Sequence, residues 1–208
     1  DAAAKLEEKI SRAGLALEVI EKYGKLKQPL FATRRRVSAA RMKRLLTDSQ
    51  GALTGQVEDL LNLNNRINAL SESRNKLEQD QTSLKVWQSY DLPLELTGTK
   101  QTTVQTGVLP MGTDLDALTG ALAGQAETDG TVFKIISRDK DLYYAAILML
   151  TEQASDVQTI LKQYGFSQVT FKDMEGTASE NLIRIDGEKD VLREKYEAAV
   201  KEAATKAA

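Results

Sequence analysis

Two residue types are missing altogether from the 208 residues: cysteine and histidine. Their absence excludes disulfides, Cys/His zinc sites, thiol nucleophiles and every His-based general base or triad. Aromatic residues are scarce, at 5%, and the hydrophobic fraction of 41% is low for a compact globule. Neither sign of charge dominates. The 28 Lys and Arg stand against 30 Asp and Glu, a net charge of −2, which argues against a generally basic binder of nucleic acid or membrane. Long apolar runs are lacking too: the longest, Leu142 to Leu150, is under half of the ~20 residues a membrane-spanning helix needs. The N-terminus has no apolar core of a signal peptide. The expectation is a soluble, cytosolic chain without a catalytic centre, cofactor or metal.

What is present is helical periodicity at both ends. Leu6, Ile10, Ala13, Leu17, Ile20 and Gly24 alternate steps of four and three, which puts them in one row of a helix. Gly24 and Pro29 then end that helix near Tyr23. A short basic helix is expected from Ser38, as N-cap, to about Leu46. From Leu53 a second row runs through Val57, Leu60, Ile67, Leu70, Leu77 and Leu84, with Asn64, Arg74 and Gln81 interposed. Roughly 40 helical residues would reach on the order of 60 Å. A polar residue such as Asn64 either fixes the register of a coiled-coil seam or marks where the seam opens to water. Near the C-terminus Leu182, Ile185, Lys189, Leu192, Tyr196 and Ala199 repeat the spacing, interrupted only by Gly187. Both ends read as cut helices, so the first and last are expected to pair antiparallel as an excised arm.

The middle has a different texture. Strands are expected at Thr102 to Leu109, Thr131 to Ser137, Leu142 to Leu150 and Ser167 to Phe171, and helices at Thr113 to Gln125 and Glu152 to Tyr164, the latter ended by Gly165. The order β-α-β-β-α-β predicts a ferredoxin-like lobe with two helices on one face of a four-stranded antiparallel sheet. The fold class is thus α+β: an elongated antiparallel helical coiled-coil arm bearing that lobe. The expected divisions are a helical arm over 1–90, the lobe over 91–173 and a returning helix over 174–208.

Few motifs carry chemistry. Gly107 and Gly112 have the spacing of a phosphate-binding loop, but Thr113 stands where that loop requires Lys. A strand-to-helix turn capped by Thr113 or Asp114 explains the segment. The pairs Asp114/Asp116, Glu127/Asp129 and Asp139/Asp141 fall in turns and first helical turns, where carboxylates cap backbone N–H groups. The third strand places Tyr143 and Tyr144 on opposite faces with no basic residue between them, unlike an RNA-recognition sheet. Trp87 is expected to pack at the base of the lobe. The one concentrated electrostatic feature is basic: Arg34, Arg35, Arg36, Arg41, Lys43 and Arg44, with no acidic residue among them. These six are the candidate partner-binding residues; a solvated face, an acidic helix and anionic headgroups are all compatible with them.

The stretches Ala16-Leu-Glu-Val-Ile-Glu-Lys-Tyr-Gly24, Thr106-Gly-Val-Leu-Pro110, Tyr164-Gly-Phe-Ser-Gln-Val-Thr-Phe171 and Gly176-Thr-Ala-Ser-Glu-Asn-Leu182 run in an order that resembles the cytoplasmic N-terminal part of the stator subunit of rotary V-type and A-type ATPases, subunit a or I. That resemblance implies the distal lobe and helical arm of a non-catalytic scaffold. It implies a peripheral-stalk heterodimer of subunits E and G as partner, membrane contact only through a further domain, and a place on the cytoplasmic side of an ion-translocating complex. No nucleic acid or small-molecule substrate is implied. The 34–44 segment is more basic than the family pattern. A small-molecule-sensing ferredoxin-like domain on a coiled-coil arm is the alternative.

Overall fold

The computed structural model describes residues 2–24, 37–48, 50–125 and 130–207. Its elements are α1 (Ala2–Tyr23), α2 (Ala39–Asp48), α3 (Gln50–Lys85), β1 (Thr102–Pro110), α4 (Leu115–Gln125), β2 (Val132–Arg138), β3 (Leu142–Leu150), α5 (Ala154–Gln163), β4 (Ser167–Val169) and α6 (Ala178–Ala207). They form two compact units, one of Asp1–Lys76 with Lys189–Ala208 and one of Leu77–Glu188.

The first unit is helical. Leu63 and Ile67 of α3 pack on Ala199 and Ala203 of α6, flanked by Leu70, Tyr196 and Val200. Large residues on one helix against alanines on the other let the backbones approach closely without leaving a void. The two helices run antiparallel: Asp59 pairs with Lys206 at 2.8 Å, Arg66 with Glu202 at 3.8 Å, and the Arg74 guanidinium lies 5.6 Å from the Tyr196 ring. The interposed Arg74 thus covers an aromatic face, while Asn64 is half-buried. Leu53, at the start of the expected row, is instead exposed.

Helix α1 buries a different face from the one its periodicity favours. Ala16 and Val19 are buried against Leu60, with Ile20, Tyr23, Val57 and Leu61 around them. Leu6, Ile10 and Leu17 are exposed. The covered row is turned by roughly 100° from the expected one, one residue's rotation on a helix. Ala16 permits close approach there, and Arg12 on the same side pairs with Glu58. The C-terminal end of α1 reaches the α3–α6 seam: Tyr23 packs on the Leu63, Ile67, Ala199 and Ala203 cluster, and a Cβ on Gly24 would come 2.9 Å from the carbonyl oxygen of Ala207; the extended antiparallel pairing is that of α3 with α6.

In the second unit the four strands lie in the order β2-β3-β1-β4, and every adjacent pair is antiparallel. The expected element order and bounds hold to within a few residues. Alternation along β3 sends Tyr143, Ala145, Ile147 and Met149 to one face and Tyr144, Ala146 and Leu148 to the other. On the first face Leu109, Ile147 and Met149 meet Leu118 and Leu122 of α4 and Val157, Ile160 and Leu161 of α5. On the second, Tyr144, Ala146, Ile136, Val169 and Phe171 meet Trp87 and Leu84, with Ala178 and Ile185 of α6. The sequence predicts only the first of these cores. Two glycines are required here. A Cβ on Gly107 would overlap the Phe166 ring, and Gly165, at φ +81°, closes α5. Behind it Gly165 N–H donates to Lys162 O at 3.0 Å and Phe166 N–H to Leu161 O at 2.9 Å, the pair of bonds a left-handed helix cap makes.

Candidate partner-binding surfaces

The predicted basic cluster divides. Arg34, Arg35 and Arg36 lie outside the described residues, as does the side chain of Arg44 within α2. Arg41 and Lys43 are exposed on α2. Ser38 caps that helix as expected, accepting the Arg41 N–H at 3.3 Å. Arg41 therefore sits in the first turn, where the helix dipole disfavours a cation. Local helix stability does not account for it.

Of the carboxylates that the sequence flags in the lobe, Asp114 and Asp139 do cap and turn work, Asp116 lies in the first turn of α4 and Asp141 pairs with Lys140 at 3.6 Å. Asp114 caps α4 by accepting the Ala117 N–H at 2.9 Å. Asp139 accepts from the Asp141 N–H at 2.9 Å, the Leu142 N–H at 2.8 Å and the Tyr144 hydroxyl at 2.7 Å. Those donors hold its carboxyl below the usual range, backbone Asp141 most strongly, and the hydroxyl bond to Asp139 raises the Tyr144 phenol. Glu127 and Asp129 lie outside the described residues. Among the described residues no cluster of three or more acidic side chains is placed to hold a metal ion.

A set of polar bonds ties the chain where it enters and leaves the lobe. Thr177 and Glu180 form a reciprocal cap on α6: Glu180 N–H donates to Thr177 Oγ1 at 3.2 Å, and Thr177 N–H to Glu180 Oε2 at 2.8 Å. The Thr177 backbone and hydroxyl donors depress the Glu180 carboxyl. Gly176 N–H donates to Glu95 at 2.9 Å, Leu94 N–H to Gly176 O at 2.8 Å, and Ser179 to the carbonyl of Gln88 at 3.0 Å. Asn181, only 2% exposed, donates to the carbonyls of Glu175 and Thr177 and accepts from Arg184. The Thr-x-x-Glu signature of this cap is plain in the sequence; the buried role of Asn181 has no local signal. Beside the cap, Gln81, Lys85, Gln88, Ser179, Leu182 and Ile183 line a groove of about 600 Å³. The aromatic group behind it is edge-on throughout: Trp87 lies 5.6 Å from Tyr144, 5.4 Å from Phe171 and 6.3 Å from Tyr90. This is the packing role at the base of the lobe that Trp87 was expected to take.

No family model matches the chain, and no curated protein matches it. Among solved structures it is similar to one described as the crystal structure of the cytoplasmic N-terminal domain of subunit I, homolog of subunit a, of V-ATPase. The identity is 15% and the TM-score 0.56, over 96% of this chain and 62% of that one. The likeness is one of fold, and the chain spans less than two thirds of that domain's length. The mixed helix-and-sheet class that the sequence resemblance implies, with one four-stranded antiparallel sheet, is the class observed. Among the described residues no helix is long and apolar enough to cross a membrane.

Proposed function

We propose that this chain is a non-catalytic stator scaffold of a rotary V- or A-type ATPase, comprising a helical arm and a ferredoxin-like distal lobe that binds a peripheral stalk of subunits E and G. The observation that carries the reading is the likeness to the subunit I domain across 96% of the chain, joined to the ordered run of matching stretches from Ala16 to Leu182. The sheet filled on both faces supports it. A lobe whose strands are clamped between α4 and α5 on one side and the Trp87 group on the other resists shear, because sliding either layer uncovers apolar surface at ~25 cal/mol per Å². The mechanism is mechanical: the lobe holds a stalk, and the helices carry the load toward the rest of the complex. The domain divisions at 90/91 and 173/174 belong to this proposal, as does a contact role for Arg34, Arg35, Arg36, Arg41, Lys43 and Arg44. Calorimetric titration with an E/G heterodimer tests it: saturable binding is expected, and no heat with the chain folded overturns it. A small-molecule sensor is the second reading, favoured by the groove beside Ser179. A thermal-shift screen against amino acids and nucleotides separates the two, since a ligand at 100 times its Kd stabilises by about 2.7 kcal/mol.

A further inference from the structure

Helix α1 carries two apolar rows, and the other described residues cover only one. Ala16, Val19 and Tyr23 face α3, whereas Leu6, Ile10 and Leu17 are 60%, 65% and 60% exposed. Those three, with Ala13, keep the four-and-three spacing that seats side chains between two helices. The open row is continuous with the packed one, because Ile20 is the next residue in it and already lies against the Ala16, Val19 and Leu60 cluster. A helix with two adjacent rows at heptad spacing is built to have neighbours on two sides. Charge distinguishes the free side. At about 100° per residue, Glu7, Glu18 and Glu21 fall along the edge of the open row that faces away from α3, and no Lys or Arg falls among them. All three are exposed.

We infer that the Leu6–Ile10–Leu17 face of α1 docks an amphipathic helix of a partner protein, one with an apolar heptad row and a basic edge that lies along Glu7, Glu18 and Glu21. The apolar row supplies the area and the acidic edge fixes the orientation and selects the partner. The face belongs to the helical unit, whereas the proposed stalk contact is on the lobe unit, so the inference stands or falls separately from stalk binding.

The test uses two synthetic helical peptides of about three heptads with the same Leu and Ile core, one with Lys and one with Glu at the flanking positions. Each is labelled and titrated with the whole chain by fluorescence anisotropy. The Lys peptide is expected to bind at least about tenfold more tightly than the Glu peptide, and the difference should shrink as salt rises. Ile10→Glu and Leu17→Glu should each abolish binding. Both side chains are exposed, so these variants should keep the parent melting curve and Trp87 emission. Equal affinity for the two peptides, binding that survives both substitutions, or no binding at all overturns the inference. So does sedimentation showing that the chain instead covers this face with a second copy of itself.

Discussion

The two units are stabilised by different means. The helical unit is thinly packed: alanines at 16, 199 and 203 meet a few large aliphatics, its ion pairs among the described residues are at least partly open to solvent, and one apolar row of α1 is uncovered by the other described residues. The lobe unit fills both faces of its sheet with large residues, led by Trp87, Leu109, Ile147, Met149 and Leu161, all 2% exposed or less. Stability should therefore concentrate in the lobe. The helices should depend more on what surrounds them.

The sharpest way to break that contrast is to remove its largest side chain. Trp87→Ala should cost about 3–5 kcal/mol, read as a fall in the urea midpoint of the lobe transition, because three edge-on aromatic contacts and a buried core go with it. If the loss is under ~1 kcal/mol, the second core is not a core. Next comes overpacking of the helical unit. Ala203 is fully buried against Leu63 and Ile67, so Ala203→Leu should cost about 1–3 kcal/mol. Circular dichroism should show that loss in helical signal while the Trp87 emission transition stays near its original midpoint. A common shift of both signals would mean the units unfold as one.

Gly107→Ala should fall in the same range, about 1–3 kcal/mol, because the new Cβ meets the Phe166 ring and the Ser167 carbonyl. A smaller neighbour, Phe166→Leu, should recover part of the loss if that overlap is its cause. The smallest effect is expected at Glu180, an exposed carboxylate. Its folded-state pKa lies below its unfolded one, so its contribution is present at neutral pH and lost as pH falls through the depressed folded value. Glu180→Gln should therefore lower the midpoint at neutral pH and narrow the drop between neutral and acidic conditions. Asp139, depressed in the same direction, should leave the variant with some acid dependence.

The lobe was easy to read because strand alternation, turn residues and glycine stops are local signals. Asp114, Asp139 and Gly165 each announce an element boundary within a few residues. The second core was not legible, since nothing in the sequence near Trp87 says that it meets Tyr144 and Phe171, which lie far along the chain. Helix α1 failed for another reason. Leu6, Ile10 and Leu17 give the larger apolar signal, yet the packed row is Ala16, Val19 and Tyr23, because contact with α3 is set by close approach at Ala16 and by the Arg12–Glu58 pair. Periodicity finds apolar rows; it does not say which neighbour covers each. The basic run shows the limit of composition in the same way, since exposed Arg41 and Lys43 mark a charged surface without naming what it meets.

Hydrogen exchange of the whole chain with and without an E/G heterodimer tests the stator account most directly. Binding should slow exchange in the lobe unit, between Leu77 and Glu188, and leave the amides of α1 unchanged. Protection confined to the helical unit, or none at stalk concentrations well above those needed to saturate related assemblies, would contradict it.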